Sequence, residues 1–268
     1  MGFFYISILA VLQGITEFLP ISSSGHLLLL SELFNQPEQT LQVDVAVHFG
    51  TLVAIILFYK KDFLSLTSGL HKNMTLRFNH NDAQFFRLIL LATLPVIFFG
   101  LILKLTGLIH EIRSIKVIGI GMIIFGIILY ISDKYGKKNR LKSDWTYKDA
   151  FIMGLWQTAS LIPGTSRSGN TITGGMFLGF SSESSVNLSL IMSIPTILAS
   201  SVLLSLDFIA IELKNSDLKI LLLGAFFSFL AARLTLSLLV RFVKTYSFTP
   251  FVIYRLILGL SILYISYT

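Results

Sequence analysis

Two long apolar stretches, residues 3–34 and 149–180, are each interrupted near the middle by a polar cluster rich in Pro, Gly and Ser. The clusters read Glu17-Phe-Leu-Pro-Ile-Ser-Ser-Ser-Gly-His26 and Pro163-Gly-Thr-Ser-Arg-Ser-Gly-Asn-Thr171. Each flanking arm has about a dozen residues, well short of the ~20 that cross a hydrocarbon core of ~30 Å. Each stretch is therefore expected to fold as two half-helices that enter and leave on one side. Irregular backbone at membrane depth is tolerated only where protein buries it or a wet cavity receives it, so the two tips are the expected functional site.

Outside these stretches, six apolar runs are long enough to span, at about 41–59, 84–104, 114–132, 184–206, 218–240 and 250–267. With 54% hydrophobic and 13% charged residues, the chain is excluded from the soluble enzymes. The alternation of short strands and turns that marks a membrane barrel is missing. The expected fold is an all-α polytopic membrane protein of six transmembrane helices plus two re-entrant helical hairpins. With no cysteine, disulfides, thiolate nucleophiles and Cys-ligated metals are excluded. The net charge of +7 comes from short loops and not from one patch, which argues against nucleic acid. No Lys or Arg precedes Lys60, so the N-terminus lacks the basic region of a signal peptide and is expected to be retained.

The halves repeat. Ala10-Val-Leu-Gln13-Gly-Ile-Thr-Glu17-Phe-Leu-Pro20, followed by Ser-Ser-Ser-Gly, resembles Gly154-Leu-Trp-Gln157-Thr-Ala-Ser160-Leu-Ile-Pro163, followed by Ser-Arg-Ser-Gly, with one residue's difference in spacing. Repeat one covers about 1–132 with the hairpin at 3–34, and repeat two about 149–268 with the hairpin at 149–180; a basic connector, 133–148, joins them. Three spans follow each hairpin, an odd number, so the two hairpins are expected to open on opposite faces, as in inverted-topology repeats. Loops 60–83, 133–148 and 239–249 hold twelve Lys and Arg, against five (Lys104, Arg113, Lys116, Lys214 and Lys219) on the other side. The first set is expected to be cytoplasmic, which puts both termini and the first hairpin's mouth outside.

In each tip, Pro stops one half-helix and Ser caps the next, leaving backbone N–H groups among hydroxyls, an arrangement suited to an anion. The donors are Ser22, Ser23 and Ser24 in the first tip and Gly164, Ser166, Ser168 and Thr171 in the second. A charge at membrane depth is costly, so Arg167 needs a partner. Its planar fork suits phosphate oxygens; the alternative is an internal ion pair with Glu17 or Glu183. Gln13 and Glu17 share one helix face, Ser23 and His26 another. A carboxylate, a hydroxyl and an imidazole can activate a nucleophile or hold a hard divalent cation against a pyrophosphate. Other polar residues read as structural: a Thr146–Asp149 capping box, Arg233 and Arg255 snorkelling near cytoplasmic helix ends, and Asp44 with His48 as a local i,i+4 pair, for which contact with a substrate headgroup is the alternative. Pro95 and Pro195 are expected to kink their helices.

At these residues the sequence resembles the undecaprenyl-pyrophosphate phosphatase family, the BacA/UppP bacitracin-resistance proteins. The motifs are Gln13-Gly-Ile-Thr-Glu17, Phe18-Leu-Pro-Ile-Ser-Ser-Ser-Gly-His26 and Pro163-Gly-Thr-Ser166-Arg167-Ser168-Gly-Asn-Thr171. The resemblance implies removal of the terminal phosphate of undecaprenyl pyrophosphate at the outer face of the bacterial plasma membrane, which recycles the peptidoglycan lipid carrier; it also implies a homodimer. Glu17 and Gln13 would then support a divalent cation, Mg2+ or Ca2+, or the general base. Ser23 and His26 would be the nucleophilic or acid–base pair, and Arg167, Ser166, Ser168 and Thr171 would hold the pyrophosphate. The competing expectation is a polyprenyl-phosphate flippase or anion transporter built on the same inverted repeat.

Overall fold

The computed structural model describes residues 2–36, 39–108, 112, 114–205 and 215–267. Six helices are long and apolar enough to cross a membrane: α3 (Leu41–Phe58), α5 (Asn81–Thr106), α6 (Ile115–Tyr135), α9 (Ser182–Ser205), α10 (Asn215–Phe242) and α11 (Thr249–Tyr267). They coincide with the six expected spans, and among the described residues there is no strand. Of the loop charges, Arg113 and Lys214 lie outside the described residues.

The two interrupted stretches are each a pair of short helices. The first holds α1 (Phe3–Thr16) and α2 (Ser23–Leu33), the second α7 (Tyr147–Thr158) and α8 (Arg167–Phe177). At 14, 11, 12 and 11 residues, none matches the length of a span. Within each stretch the two helices pack on each other. The start of α7 is the expected capping box: Thr146 Oγ1 accepts from the Asp149 amide, and the Asp149 carboxylate accepts from the Thr146 amide.

The halves exchange partners. α1 of the first half docks on α10 of the second, whereas α7 of the second docks on α5 of the first. Both contacts are made backbone to backbone. A methyl group on Gly14 would stand 2.5 Å from the Ser228 carbonyl, and one on Gly154 would stand 2.7 Å from the Ala92 carbonyl. Small residues let helices approach closely where no hydrophobic effect drives them together. Around the tips, Phe18, Leu52, Ile55, Ile172, Leu190 and Leu236 close one apolar core. On the outside of α10, Leu218, Leu222, Phe226, Leu230, Leu234 and Leu238 form a fully apolar exposed row, as a lipid-facing stripe does.

Three expectations are corrected. The basic segment 60–83 is not simply a loop: it contains α4 (Lys60–Met74), whose charges hid a helix with one packed face. Leu66 and Gly69 are buried against α5, and Asp82 accepts from Ser65 Oγ at 2.6 Å, Ser68 Oγ at 2.9 Å and Lys72 Nζ at 2.6 Å. Arg255 does not snorkel: its side chain is wholly buried, because glycines on α6 open a path to backbone carbonyls. Arg233 does lie exposed, with its guanidinium 5.0 Å from the centre of the Phe58 ring. The third correction concerns Asp44 and His48, whose pairing reaches beyond their own helix, as described below. Pro95 and Pro195 sit inside α5 and α9.

Candidate active site

The tips are two copies of one turn. Ser22 and Ser166 cap their second helices in the left-handed region, with φ 70°, ψ 99° and φ 73°, ψ 116°. This region is strained for a residue with a side chain, and such strain gathers at functional sites. Each of these hydroxyls lies 3.1 Å from the serine two residues on, Ser22 Oγ from Ser24 Oγ and Ser166 Oγ from Ser168 Oγ, and only Ser166 Oγ also accepts from a helix amide, that of Gly169 at 3.1 Å. Gly164 precedes the second turn at φ 87°, where an added Cβ would fall 2.2 Å from the Ile118 carbonyl.

The tips meet. Arg167 Nη2 donates to Glu17 Oε1 at 2.7 Å, Ser168 Oγ donates to the Leu19 carbonyl at 2.9 Å, and the Gly164 amide faces Ser24 Oγ at 3.4 Å. The arginine pairs with Glu17 and not with Glu183, which lies 3.3 Å from Lys244 on another part of the surface. Gln13 Nε2 donates to Glu17 Oε2 at 2.7 Å, so both carboxylate oxygens are held in place. A cavity of about 220 Å³ lies between the tips, lined by Glu17, Ser22, Ser23, Ser24, Ser166 and Arg167 together with Gly164 and His48. A second chamber of about 290 Å³ shares Ser23, Ser24 and His48 with it and adds apolar walls from Leu27, Leu28 and Ile118.

Three expected site residues face elsewhere. His26 is buried, with Nδ1 2.7 Å from the Ser22 carbonyl and Nε2 2.6 Å from the Tyr254 hydroxyl, so both ring nitrogens are occupied away from Ser23. Its i,i+3 spacing from Ser23 suggested a pair, but position i+4 from Ser22 lets the ring fold back onto the cap. Ser168 is spent on the Leu19 carbonyl. Thr171 is fully buried behind the tip, donating to the Arg167 carbonyl at 3.0 Å and paired with Ser189. These two residues brace the tip that carries Arg167.

His48, read first as a local partner of Asp44, lines the cavity. Its Nδ1 does sit 2.8 Å from the Asp44 carbonyl, the local contact that the i,i+4 spacing suggests. Its Nε2 faces across the helix interface, 3.1 Å from Gln13 Nε2 and 3.7 Å from Glu17 Oε2. Only the packing of α3 beside α1 makes it part of the site.

A divalent cation needs oxygen donors. Gln13 Oε1 is buried without a hydrogen-bond partner, beside the Glu17 carboxylate. Among the described residues no group of three or more His, Asp or Glu is gathered as a ready metal site. Gln13 Oε1 and the Glu17 carboxylate are the oxygen donors that these residues offer an ion.

A family model described as bacitracin resistance protein BacA matches residues 6–261. An undecaprenyl-diphosphatase of Dinoroseobacter shibae is 48% identical over the whole of both chains, 100% of each. One from Jannaschia sp. is 47% identical, again covering 100% of each chain, and one from Campylobacter curvus is 42% identical over 99% of each.

Proposed function

Because the chain belongs to the BacA family of bacitracin resistance proteins, we propose that the cavity between its tips is the active site of an undecaprenyl-diphosphatase. The protein is a multi-pass membrane phosphatase that releases the terminal phosphate of undecaprenyl diphosphate. The product, undecaprenyl phosphate, is the carrier used again in peptidoglycan synthesis. The observation that carries the site assignment is the bridge from Arg167 to Glu17, which joins the two tips among the cavity-lining serines Ser22, Ser23, Ser24 and Ser166 of the two turns.

The pyrophosphate would rest against Arg167, the hydroxyls of Ser22, Ser24 and Ser166, and the amides that open α2 and α8. These donors stabilise the charge spread over the transferring phosphoryl group. Ser23 would attack the terminal phosphorus in line: the Oγ–P bond forms, the bridging P–O bond breaks, and undecaprenyl phosphate leaves. Glu17 would accept the serine proton, and water would then release phosphate and restore the hydroxyl. Direct attack by water, with Ser23 positioning it, is the competing route. Attack by His26 is disfavoured because both its nitrogens are engaged. The alternative use of Glu17 is to hold Mg2+ or Ca2+ with Gln13, where the ion would neutralise pyrophosphate charge.

The exchanged packing of α1 and α7, and the matching dihedral angles at Ser22 and Ser166, support an inverted repeat with two re-entrant hairpins. The basic loops would face the cytoplasm and the second chamber the outside, leaving both termini outside. The reading includes a homodimer, checked by the mass of the detergent-solubilised protein. The deciding assay is phosphate release from long-chain prenyl pyrophosphate by purified protein in detergent, with and without chelator. Chelator-sensitive release is expected; lipid movement across vesicles with no release would turn the assignment to a carrier.

A further inference from the structure

One charged side chain at the tips has no part in the scheme above. Arg255 on α11 is completely buried, and among the described residues no carboxylate pairs with it. Its N–H groups go to five backbone carbonyls. Nε donates to Met122 at 3.2 Å and Nη1 to Pro20 at 3.3 Å, while Nη2 donates to Gly121 at 3.4 Å, Gly164 at 3.3 Å and Thr165 at 2.9 Å. Three of these acceptors, Pro20, Gly164 and Thr165, belong to the two tip turns. One guanidinium thus ties both turns to α6, and Arg255 is not among the residues that line the cavity.

We propose that Arg255 is the positioning residue of the phosphoryl site, orienting the backbone amides of the second tip through their carbonyls. In a trans peptide the C=O and the following N–H point in opposite directions. Holding the Thr165 carbonyl, the shortest of the five contacts, turns the Ser166 amide away from Arg255, towards the cavity that Ser166 and Arg167 line. The left-handed backbone at Ser166, unfavourable for a serine by itself, is held by this anchor and by the adjoining hold on Gly164. The Pro20 contact sets the first tip on the same anchor. Charge acts in the same sense: Arg167 and Arg255 outnumber Glu17 around the tips, so the site favours an anion even while Glu17 is ionised.

This inference rests on the phosphatase reading, and its test separates the two. Arg255→Lys keeps the charge but has a single ammonium for carbonyls on two turns and a helix. Oriented donors act more strongly on the charge that develops in the transition state than on the resting pyrophosphate, so kcat for prenyl pyrophosphate should fall about 100-fold with KM within about threefold, in protein that stays folded and monodisperse. The second variant leaves Arg255 in place. A methyl group at Gly169 would stand 2.9 Å from Arg255 Nη1 and 3.2 Å from Ser166 Cβ and Oγ, so Gly169→Ala presses on the anchor and on the turn it holds together, and should lower kcat by about tenfold, again with little change in KM. Parental kcat in a folded form of either variant overturns the proposal, as does a rise in KM with kcat intact. Failure of both variants to fold also overturns it, making Arg255 a structural strut. A parent without turnover refutes the phosphatase reading, and this inference with it; an active parent beside an active Arg255→Lys refutes this inference alone.

Discussion

Replacing Arg167 separates the two things its guanidinium does. Nη2 lies 2.7 Å from Glu17 Oε1, and both side chains are largely withdrawn from solvent, at 13% and 7% exposure. Among the described residues its other N–H groups have no protein partner, which leaves them for phosphate oxygens. Arg167→Ala strands a buried carboxylate, a loss that costs about 3–5 kcal/mol when one partner of a buried pair is removed. Arg167→Lys still offers a cation to Glu17, so the fold should be retained to within about 1 kcal/mol, but one ammonium cannot serve the carboxylate and a forked contact together. Loss of one preorganised donor costs about 10²–10³ in turnover, or about 2.7–4 kcal/mol in the barrier. We therefore expect Arg167→Lys to be folded and nearly inactive, and Arg167→Ala to be both inactive and destabilised. Phosphate release and thermal unfolding in detergent measure the two effects separately. Turnover by Arg167→Lys within about threefold of the parent would refute the forked role; equal loss of stability in both variants would refute the functional division between pairing and binding.

Ser23→Ala should lower turnover well beyond tenfold if the hydroxyl attacks; retention within about tenfold would give the step to water. A pH scan probes the start of α7. Burial pushes the Asp149 carboxyl up, but its hydrogen bonds from Arg140 and Thr146 outweigh this and hold it below its ordinary value. Its stabilisation is therefore complete above a pH of about 4 and lost as pH falls through the lower folded value, so the gap in thermal midpoint between parent and Asp149→Asn should close below that pH. A gap unchanged down to a pH of about 2 would contradict it. Gly50→Val meets a backbone wall, since even a Cβ would fall 2.1 Å from the Ala225 carbonyl. It should cost about 1–3 kcal/mol or more, seen as a lowered thermal midpoint, and an unchanged midpoint would contradict the α3–α10 contact.

Much of this architecture can be read directly from the sequence, because a hydrocarbon core imposes a fixed length on every span. The six long helices and the two broken stretches follow from that length and from Pro20, Pro163 and the serines beside them. Glu17 and Arg167 stand out as charges in apolar surroundings, and their pairing was among the expected possibilities. What escaped sequence reading depends on tertiary contact. α4 is amphipathic and rich in Lys, so its apolar face disappears in any average over its residues. His48 does make the local contact its spacing suggests, and only α1 reveals the ring's other edge. Arg255 is six residues into its helix, a position compatible with snorkelling, until Gly121 and Gly126 of α6 are seen to admit it. His26 shows the opposite error: spacing aligned it with Ser23, but the carbonyl of Ser22 and the Tyr254 hydroxyl claimed the ring.

The dependence of both turns on Arg255 has a consequence for biogenesis. α11 leaves the ribosome after both tips have been made, so neither Pro20 nor Gly164 can meet its anchor while the earlier helices are being inserted. A nascent chain can therefore have most of its helices in the bilayer and still lack a working site. Competence arrives in one late event, when a helix carrying a buried cation leaves the insertion machinery and docks against α6. Mutations that slow the release of that helix should deplete active enzyme without altering any residue that touches substrate.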